Sequence, residues 1–202
     1  MNLSSKTGIL NSNNVSNERE NNNNPLGFES ISDIFKNSGR VFLNLFLVYI
    51  FKYVSISGLS DRNTMEDTSS TNFLISNAYL FIQLIYNLGV FLGKSSLYCF
   101  TMGSIDIFTV ASAILAGVMA WITFKEIEML EISLTLMFLI GWVSGVSKSQ
   151  AYNIFQENKE IKHENREVAV VLASVLTDIS IVFSYGSSIL FSVYLFPYKG
   201  KN

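Results

Sequence analysis

The sequence predicts an all-α fold, a polytopic membrane bundle of about five transmembrane helices behind a polar amino-terminal tail. Apolar residues make up 49% of the 202 residues and charged residues only 15%. The apolar residues are concentrated in five stretches, each close to or above the roughly 20 residues that an α-helix needs to cross about 30 Å of hydrocarbon. Helices of soluble proteins seldom run so long, since they average about 10 to 14 residues.

The tail, residues 1–30, is rich in asparagine and includes the run Asn21 to Asn24. It holds too few apolar side chains to offset the conformational entropy lost on ordering, so we expect it to be disordered. It also lacks the basic start and apolar core of a secretory signal peptide.

The predicted transmembrane bundle occupies residues 31–198. Its helices are expected at about 41–59, 73–93, 105–124, 130–147 and 168–196. Because only a few residues separate the third helix from the fourth, these two should form an antiparallel hairpin. The fifth stretch is longer than one crossing requires, which indicates tilt or an extension beyond the bilayer.

Basic residues flank the apolar stretches unevenly. They lie before the first helix, after the second, and between the fourth and the fifth: Lys36, Arg40, Lys94, Lys148, Lys159, Lys162 and Arg166. The positive-inside rule places these ends and the tail in the cytosol. Five crossings then leave the carboxyl end on the opposite side.

Composition excludes several classes of function. The net charge is −2 and the basic residues are scattered, which argues against a nucleic-acid partner. Cys99 and His163 are each the only residue of their type, so neither a disulfide nor a Cys/His metal site is expected. No P-loop, GxSxG or HExxH motif occurs, and we expect no cofactor and no enzyme activity. A lipid transferase using a buried Asp and Lys as acid and base is the weaker alternative.

Charged and polar residues inside the apolar stretches are the candidate site. Lys52 lies within the first helix, where a charge costs at least about 2.5 to 3.5 kcal/mol, so it either snorkels to the interface or enters a cavity or ion pair. Asp178 lies about a dozen residues into the fifth helix, and Gln83, Asn87 and Lys94 follow one face of the second. The polar faces of the second and fifth helices either line a shared polar cavity or form hydrogen bonds to neighbouring helices. A direct ion pair between Lys52 and Asp178 is a further hypothesis.

Small residues four apart mark packing surfaces. Gly89 and Gly93 form a GxxxG motif on the second helix, and Gly141 and Gly145 form another on the fourth. Ala113 with Gly117 is a looser pair on the third helix. Such spacing lets a neighbouring helix approach closely, and we favour packing within the chain over dimerisation.

Three segments carry recognisable motifs. QLIYNLGVFLGKSSL (83–97) is similar to the pattern Y-x-x-G-V-F-x-x-R-S-S-L. VYIFKYVSISGL (48–59) resembles V-Y-F-x-E-Y-x-I-N-Q-G-L, and residues 153–155 with 165–167 resemble N-x-F followed by H-R-E-F. In these segments, which follow the same order, the chain resembles the battenin family of lysosomal and vacuolar membrane proteins related to the major facilitator superfamily. This chain has Lys52 where the family pattern has an acid, and Lys94 where it has arginine.

The resemblance implies the carboxyl-terminal half of a major-facilitator-like fold, because the family has about eleven helices and the match begins at the seventh. It implies a multi-pass protein of the lysosomal or vacuolar membrane that transports a small solute by alternating access and contributes to vacuolar pH homeostasis. The family's proposed solutes include basic amino acids and glycerophosphodiesters. We expect the path to be lined by Gln83, Asn87, Lys94, Asp178 and Lys52.

The expected partners are the lipid bilayer, an unidentified small solute, and either a missing amino-terminal half bundle or a second copy of the chain. Transport in this class takes place between two bundles. The alternative function is a non-transporting membrane scaffold or regulatory subunit that acts through helix packing. The two differ in whether the polar faces meet water or only neighbouring helices.

Overall fold

The computed structural model describes residues 28–60, 77–99, 101–102, 104–125 and 130–190. They form five α-helices: α1 (Phe28–Tyr53), α2 (Ala78–Ser95), α3 (Asp106–Phe124), α4 (Leu130–Glu157) and α5 (His163–Leu190). A π-helical segment, Val54–Ser60, continues α1, and a short 3-10 turn, Ser96–Tyr98, follows α2. The predicted all-α class is therefore confirmed. Of the tail predicted to be disordered, residues 1–30, the first 27 residues lie outside the described residues, and the last three belong to α1.

Four of the helical segments are long and apolar enough to cross a membrane: Ile31–Leu59, Asp106–Phe124, Leu130–Glu157 and Asn165–Leu190. In α2 the apolar part, Leu80–Ser95, is shorter. Large apolar side chains also cover the outside of the bundle, such as Val182 at 74% exposure and Phe124 at 70%. An outer surface of this kind suits contact with lipid, so the chain is a multi-pass membrane protein.

Two helices extend well beyond the apolar stretches that predict them. α1 begins at Phe28 rather than near residue 41, and its first turns bury Ile34 and Ser38 while the residues around them are exposed. α4 continues to Glu157, past residue 147, and buries Gln150 and Phe155. Both extensions are amphipathic, and packing rather than mean hydropathy sets their length.

The helices alternate in direction, as consecutive membrane crossings require. Arg40 and Asn44, in the middle of α1, bind Asp106 at the start of α3 through a salt bridge of 2.9 Å and a hydrogen bond of 2.6 Å. Further along, Ile56 and Met119 share one buried cluster, so α1 with its π-helical continuation and α3 run in the same direction. Beyond the end of α1, Ser57 meets Ser188 near the end of α5 at 2.8 Å. α1, α3 and α5 are therefore parallel to one another.

α4 runs in the opposite direction, because Asn158, just beyond its end, donates a hydrogen bond to Ser38 near the start of α1. α2 is parallel to α4, since Tyr86 and Val90 of α2 lie beside Gly141 and Gly145 of α4 in that order. The starts of α1, α3 and α5 thus share one side of the bundle with the ends of α2 and α4. Of the basic residues that predict the cytosolic side, Lys36, Lys159, Lys162 and Arg166 lie at this side, whereas Lys148 lies within α4.

Two clusters of buried apolar residues hold the bundle together. The first joins α1, α3, α4 and α5 around Leu45, Val146 and Phe155, and the rings of Phe42 and Phe155 lie 4.7 Å apart. The second joins α2, α3, α4 and the π-helical segment around Ile82, Met119 and Met137, all fully buried. The candidate site lies on another face of the bundle, where α1, α2, α4 and α5 meet.

Candidate functional site

A cavity of about 270 Å³ lies among four helices, and its lining is unusually charged for a membrane-spanning region. It is lined by Tyr49, Lys52 and Tyr53 of α1, Val90 and Lys94 of α2, Ser144, Gly145 and Lys148 of α4, and Thr177, Asp178 and Ile181 of α5. Three lysines and one aspartate thus share a single cavity. We call this set the lysine cavity.

Lys52 is the most deeply buried of these charges, with 8% of its surface exposed. Its Nζ lies over the rings of Tyr53 at 4.5 Å, Tyr49 at 4.6 Å and Tyr86 at 5.4 Å from the ring centroids. The negative faces of aromatic rings attract a cation, and the attraction strengthens when both are withdrawn from water. The sequence leaves two positions open for the Lys52 side chain, the membrane interface or a cavity or ion pair. In the structure the side chain lies in the cavity.

Lys148 is a member of the site that sequence analysis does not single out. Its Nζ lies 5.7 Å from the ring centroid of Tyr49 and 5.5 Å from that of Tyr152. Tyr49 therefore lies under two ammonium groups, one from α1 and one from α4. The sequence counts Lys148 among the basic residues of the connection after the fourth helix, but α4 runs on to Glu157 and places it within the span.

Tyr49 and Tyr53 are also missed at the sequence level, although their spacing from Lys52 is a usable signal. Tyr49 lies three residues before Lys52 and Tyr53 lies next to it, and residues three apart on a helix are neighbours. Tyr53 also approaches Tyr185 of α5, with ring centroids 6.1 Å apart. The aromatic side chains therefore connect the cavity wall of α1 to that of α5.

Asp178 lines the same cavity as the lysines and is exposed on the surface of α5. The hypothesis of a direct pair with Lys52 is wrong for this structure: across the described residues, the salt bridge present joins Arg40 to Asp106. The two opposite charges face one cavity without meeting. Each is therefore available to a third group placed between them.

The serines of α5 contact neighbouring helices. Ser188 is buried and bonded to Ser57, and Ser174 shares a hydrogen bond of 2.9 Å with the hydroxyl of Tyr152. Ser180 and Ser184 are fully buried against neighbouring helices, and Ser184 Oγ donates to the carbonyl of Ile50 at 3.4 Å. Through Ser184 and Ser188, this row of serines packs α5 against α1 and its π-helical continuation, whereas Ser174 contacts α4.

The glycine pairs of α2 and α4 meet directly. A Cβ at Gly145 would lie 2.5 Å from the carbonyl oxygen of Val90, and one at Gly141 would collide with the carbonyl of Tyr86. Gly89 and Gly93 face the backbone of α4 in the same way. The two backbones are therefore in contact, which brings Lys94 and Lys148 to the same cavity. Gly117, by contrast, has no atom of the described chain within 4 Å of its Cβ position.

Two predicted path residues lie elsewhere on α2. Gln83 and Asn87 are not among the described residues that line the lysine cavity. Asn87 is exposed, and its side-chain amide donates to the carbonyl of Gln83 at 2.9 Å. Of the five predicted residues, Lys52, Lys94 and Asp178 come together, and contact of the other two with a solute stays a prediction.

The fold and the cavity together define a class: an α-helical, multi-pass membrane protein with ionisable side chains directed into a cavity between its helices. Comparison with known proteins gives the family. The model of the family described as CLN3 protein matches residues 3–198 of this chain. The chain belongs to the CLN3, or battenin, family, which confirms the resemblance seen in its sequence.

A curated relative, battenin of Dictyostelium discoideum, is 29% identical over 145 residues. The match covers 70% of this chain and 34% of that protein, so the chain spans about a third of the length of the relative. No solved structure matches the chain.

Proposed function

We propose that this chain is a transporter-like protein of the lysosomal or vacuolar membrane, which holds a small solute in the lysine cavity as the solute crosses. We further propose that this transport contributes to vacuolar pH homeostasis. The observation that carries the proposal is the convergence of Lys52, Lys94, Lys148 and Asp178, from four helices, on one cavity within the membrane-spanning bundle. Ionisable residues at such positions are costly and typically mark solute or ion pathways.

The local structure beside Lys52 supports the same function. The helical hydrogen-bond pattern changes to a π-helical one at Val54, two residues after Lys52. Such irregular turns are frequent at functional sites, and transporter sites near the middle of the bilayer are built on interrupted helices. The second wall of the path would come from an amino-terminal half bundle or a second copy of this chain, with alternating access by rocking of the two bundles.

The scaffold alternative is favoured by one observation, the free surface of α3. Gly117 faces open space and lies among exposed apolar residues that include Val110, Ile114 and Trp121. Small residues on a lipid-facing helix are a common surface for a partner helix. A scaffold would use this surface and would not need the lysine cavity.

An organelle assay distinguishes transport from the scaffold function. The tagged chain is expressed in cells that lack it, its co-localisation with a lysosomal or vacuolar marker is measured, and the small solutes of the purified organelle are quantified by mass spectrometry. We expect Lys52→Gln to leave the same solute imbalance as absence of the chain. Lys125→Gln is the matched control, because Lys125 is exposed at the end of α3, away from the cavity.

Luminal pH is measured in the same cells with a ratiometric probe. Transport predicts that the pH shift and the solute imbalance are corrected by the wild-type chain and by Lys125→Gln, and not by Lys52→Gln. If Lys52→Gln corrects both as well as the wild-type chain does, the cavity is not the path and the scaffold reading replaces transport.

A further inference from the structure

The charge of the lysine cavity is unbalanced. Lys52, Lys94 and Lys148 contribute three ammonium groups, and Asp178 contributes the one carboxylate among the described residues of the lining. With all four groups ionised, the cavity has two uncompensated positive charges. Lys52 is the buried member of this set, whereas Lys148 is half-buried and Lys94 and Asp178 are exposed. The buried charge of Lys52 requires a partner, because desolvation costs more than aromatic rings alone return.

The hydrogen-bonding capacity of the lining is equally one-sided. The Ser144 hydroxyl donates to the carbonyl of Gly141 and the Thr177 hydroxyl donates to that of Ser174, so both are committed to their own helices. The lysine ammonium groups, by contrast, are donors only. The lining therefore offers N–H donors in excess, which suits a ligand rich in acceptor oxygens.

We propose that the lysine cavity binds a small dianion, either a dicarboxylate or a phosphate, with two negative charges that balance the excess of the lysines. This inference rests on the proposed function, since it names the class of solute that the cavity holds. A cavity of about 270 Å³ has room for roughly nine water volumes at about 30 Å³ each. Inorganic phosphate and four-carbon dicarboxylates fit within that space.

The lysines and Asp178 should have opposite effects on the binding of the dianion. Lys52, at 8% exposure, holds the inner end of the dianion, and Lys148 lies beside it across the shared ring of Tyr49. Asp178 is exposed on the α5 wall of the same cavity and repels the same ligand. Removing Asp178 should therefore tighten binding of the dianion, whereas removing a lysine should weaken it. A cationic solute would reverse both effects.

The test uses the full chain in lipid nanodiscs and isothermal titration calorimetry. The probes are succinate and inorganic phosphate, each with a monoanionic analogue, monomethyl succinate and dimethyl phosphate, and arginine represents cationic solutes. The variants are Lys52→Gln, Lys148→Gln and Asp178→Asn, with Lys52→Arg as the charge-preserving partner of the first. Lys125→Gln controls for general loss of positive charge.

We expect one of the two dianions to bind and its monoanionic analogue to bind at least tenfold more weakly. Lys52→Gln or Lys148→Gln should weaken dianion binding by roughly tenfold, equivalent to about 1.4 kcal/mol. Asp178→Asn should tighten it severalfold. Lys52→Arg, which keeps the charge, should retain more of the binding than Lys52→Gln does, and Lys125→Gln should leave it nearly unchanged. If Lys52→Gln does not fold, Lys148→Gln and Asp178→Asn still make opposite predictions.

The dianion inference is overturned, and the proposed function kept, if arginine or a monoanion binds more tightly than both dianions and the cavity variants alter that binding. Both fall if neither dianion, neither monoanion nor arginine binds in a way that depends on the cavity residues. Binding of phosphate but not succinate, or of succinate but not phosphate, supports the inference and identifies the headgroup.

Discussion

Replacement of Gly145 by alanine tests the contact that brings two walls of the cavity together. The new Cβ would lie 2.5 Å from the carbonyl oxygen of Val90 and 3.1 Å from the backbone nitrogen of Lys94. Real Cβ atoms essentially never approach another heavy atom within 3.0 Å. Because the obstructing atoms belong to the backbone of α2, no side-chain rotation relieves the clash, and the two helices must separate by at least about 0.5 Å.

Overpacking of this kind costs about 1 to 3 kcal/mol, and alanine regains at most about 1 kcal/mol of helix propensity over glycine. We therefore expect Gly145→Ala to lower the free energy of unfolding by up to about 2 kcal/mol. Gly117→Ala is the matched control, since no atom of the described chain lies within 4 Å of its Cβ position. There the propensity gain acts alone, and stability should rise by up to about 1 kcal/mol.

Both variants are made in the full chain, and unfolding in detergent micelles is followed by tryptophan fluorescence against denaturant. Trp142 reports on the contact because its backbone packs against Gly89 and Gly93. Separation of α2 from α4 should also move Lys94 away from Lys148 and weaken binding in the lysine cavity. The reasoning is refuted if Gly145→Ala is as stable as Gly117→Ala, since the helices would then have room to spare at their closest approach.

Three further predictions concern the core, the serine row and the orientation. Phe155→Ala should lower the free energy of unfolding by about 3 to 5 kcal/mol, because Phe155 is fully buried against Phe42. Phe91→Ala, at a 65% exposed position, should cost far less, and similar losses in the two variants would contradict the assigned core. Ser184→Leu should lower the free energy of unfolding by about 1 to 3 kcal/mol, since this fully buried serine faces α1. If Ser184→Leu is as stable as Ser184→Ala, α5 packs against α1 differently. Cys99, which is exposed and the only cysteine, should react with a membrane-impermeant maleimide on intact organelles, since its end of the bundle is predicted to be cytosolic; labelling only after permeabilisation would reverse the orientation.

Much of the architecture follows from local sequence properties. Long apolar stretches satisfy their backbone hydrogen bonds internally only as helices within lipid, so hydropathy alone predicts the helices and their number. Three ordered motifs predict the family. The lengths of α1 and α4 are less accessible, because their amphipathic ends depend on packing against other helices. Residues 28–40 read as polar in sequence, and yet Ile34 is buried at 1% exposure.

The candidate site, like the fold, can be predicted from the sequence only in part. Lys52 and Asp178 stand out from sequence alone, because any charge within an apolar stretch is costly wherever the helix lies. Only the tertiary structure shows that they line one cavity, that they form no salt bridge with each other and that Lys148 belongs to the same lining. The shared lining depends on backbone contact between α2 and α4, and therefore on how distant glycines face each other. Sequence thus determined which residues cross the membrane and which charges enter it, whereas helix packing decided which charges share a cavity, because that depends on the orientation of each helix about its axis.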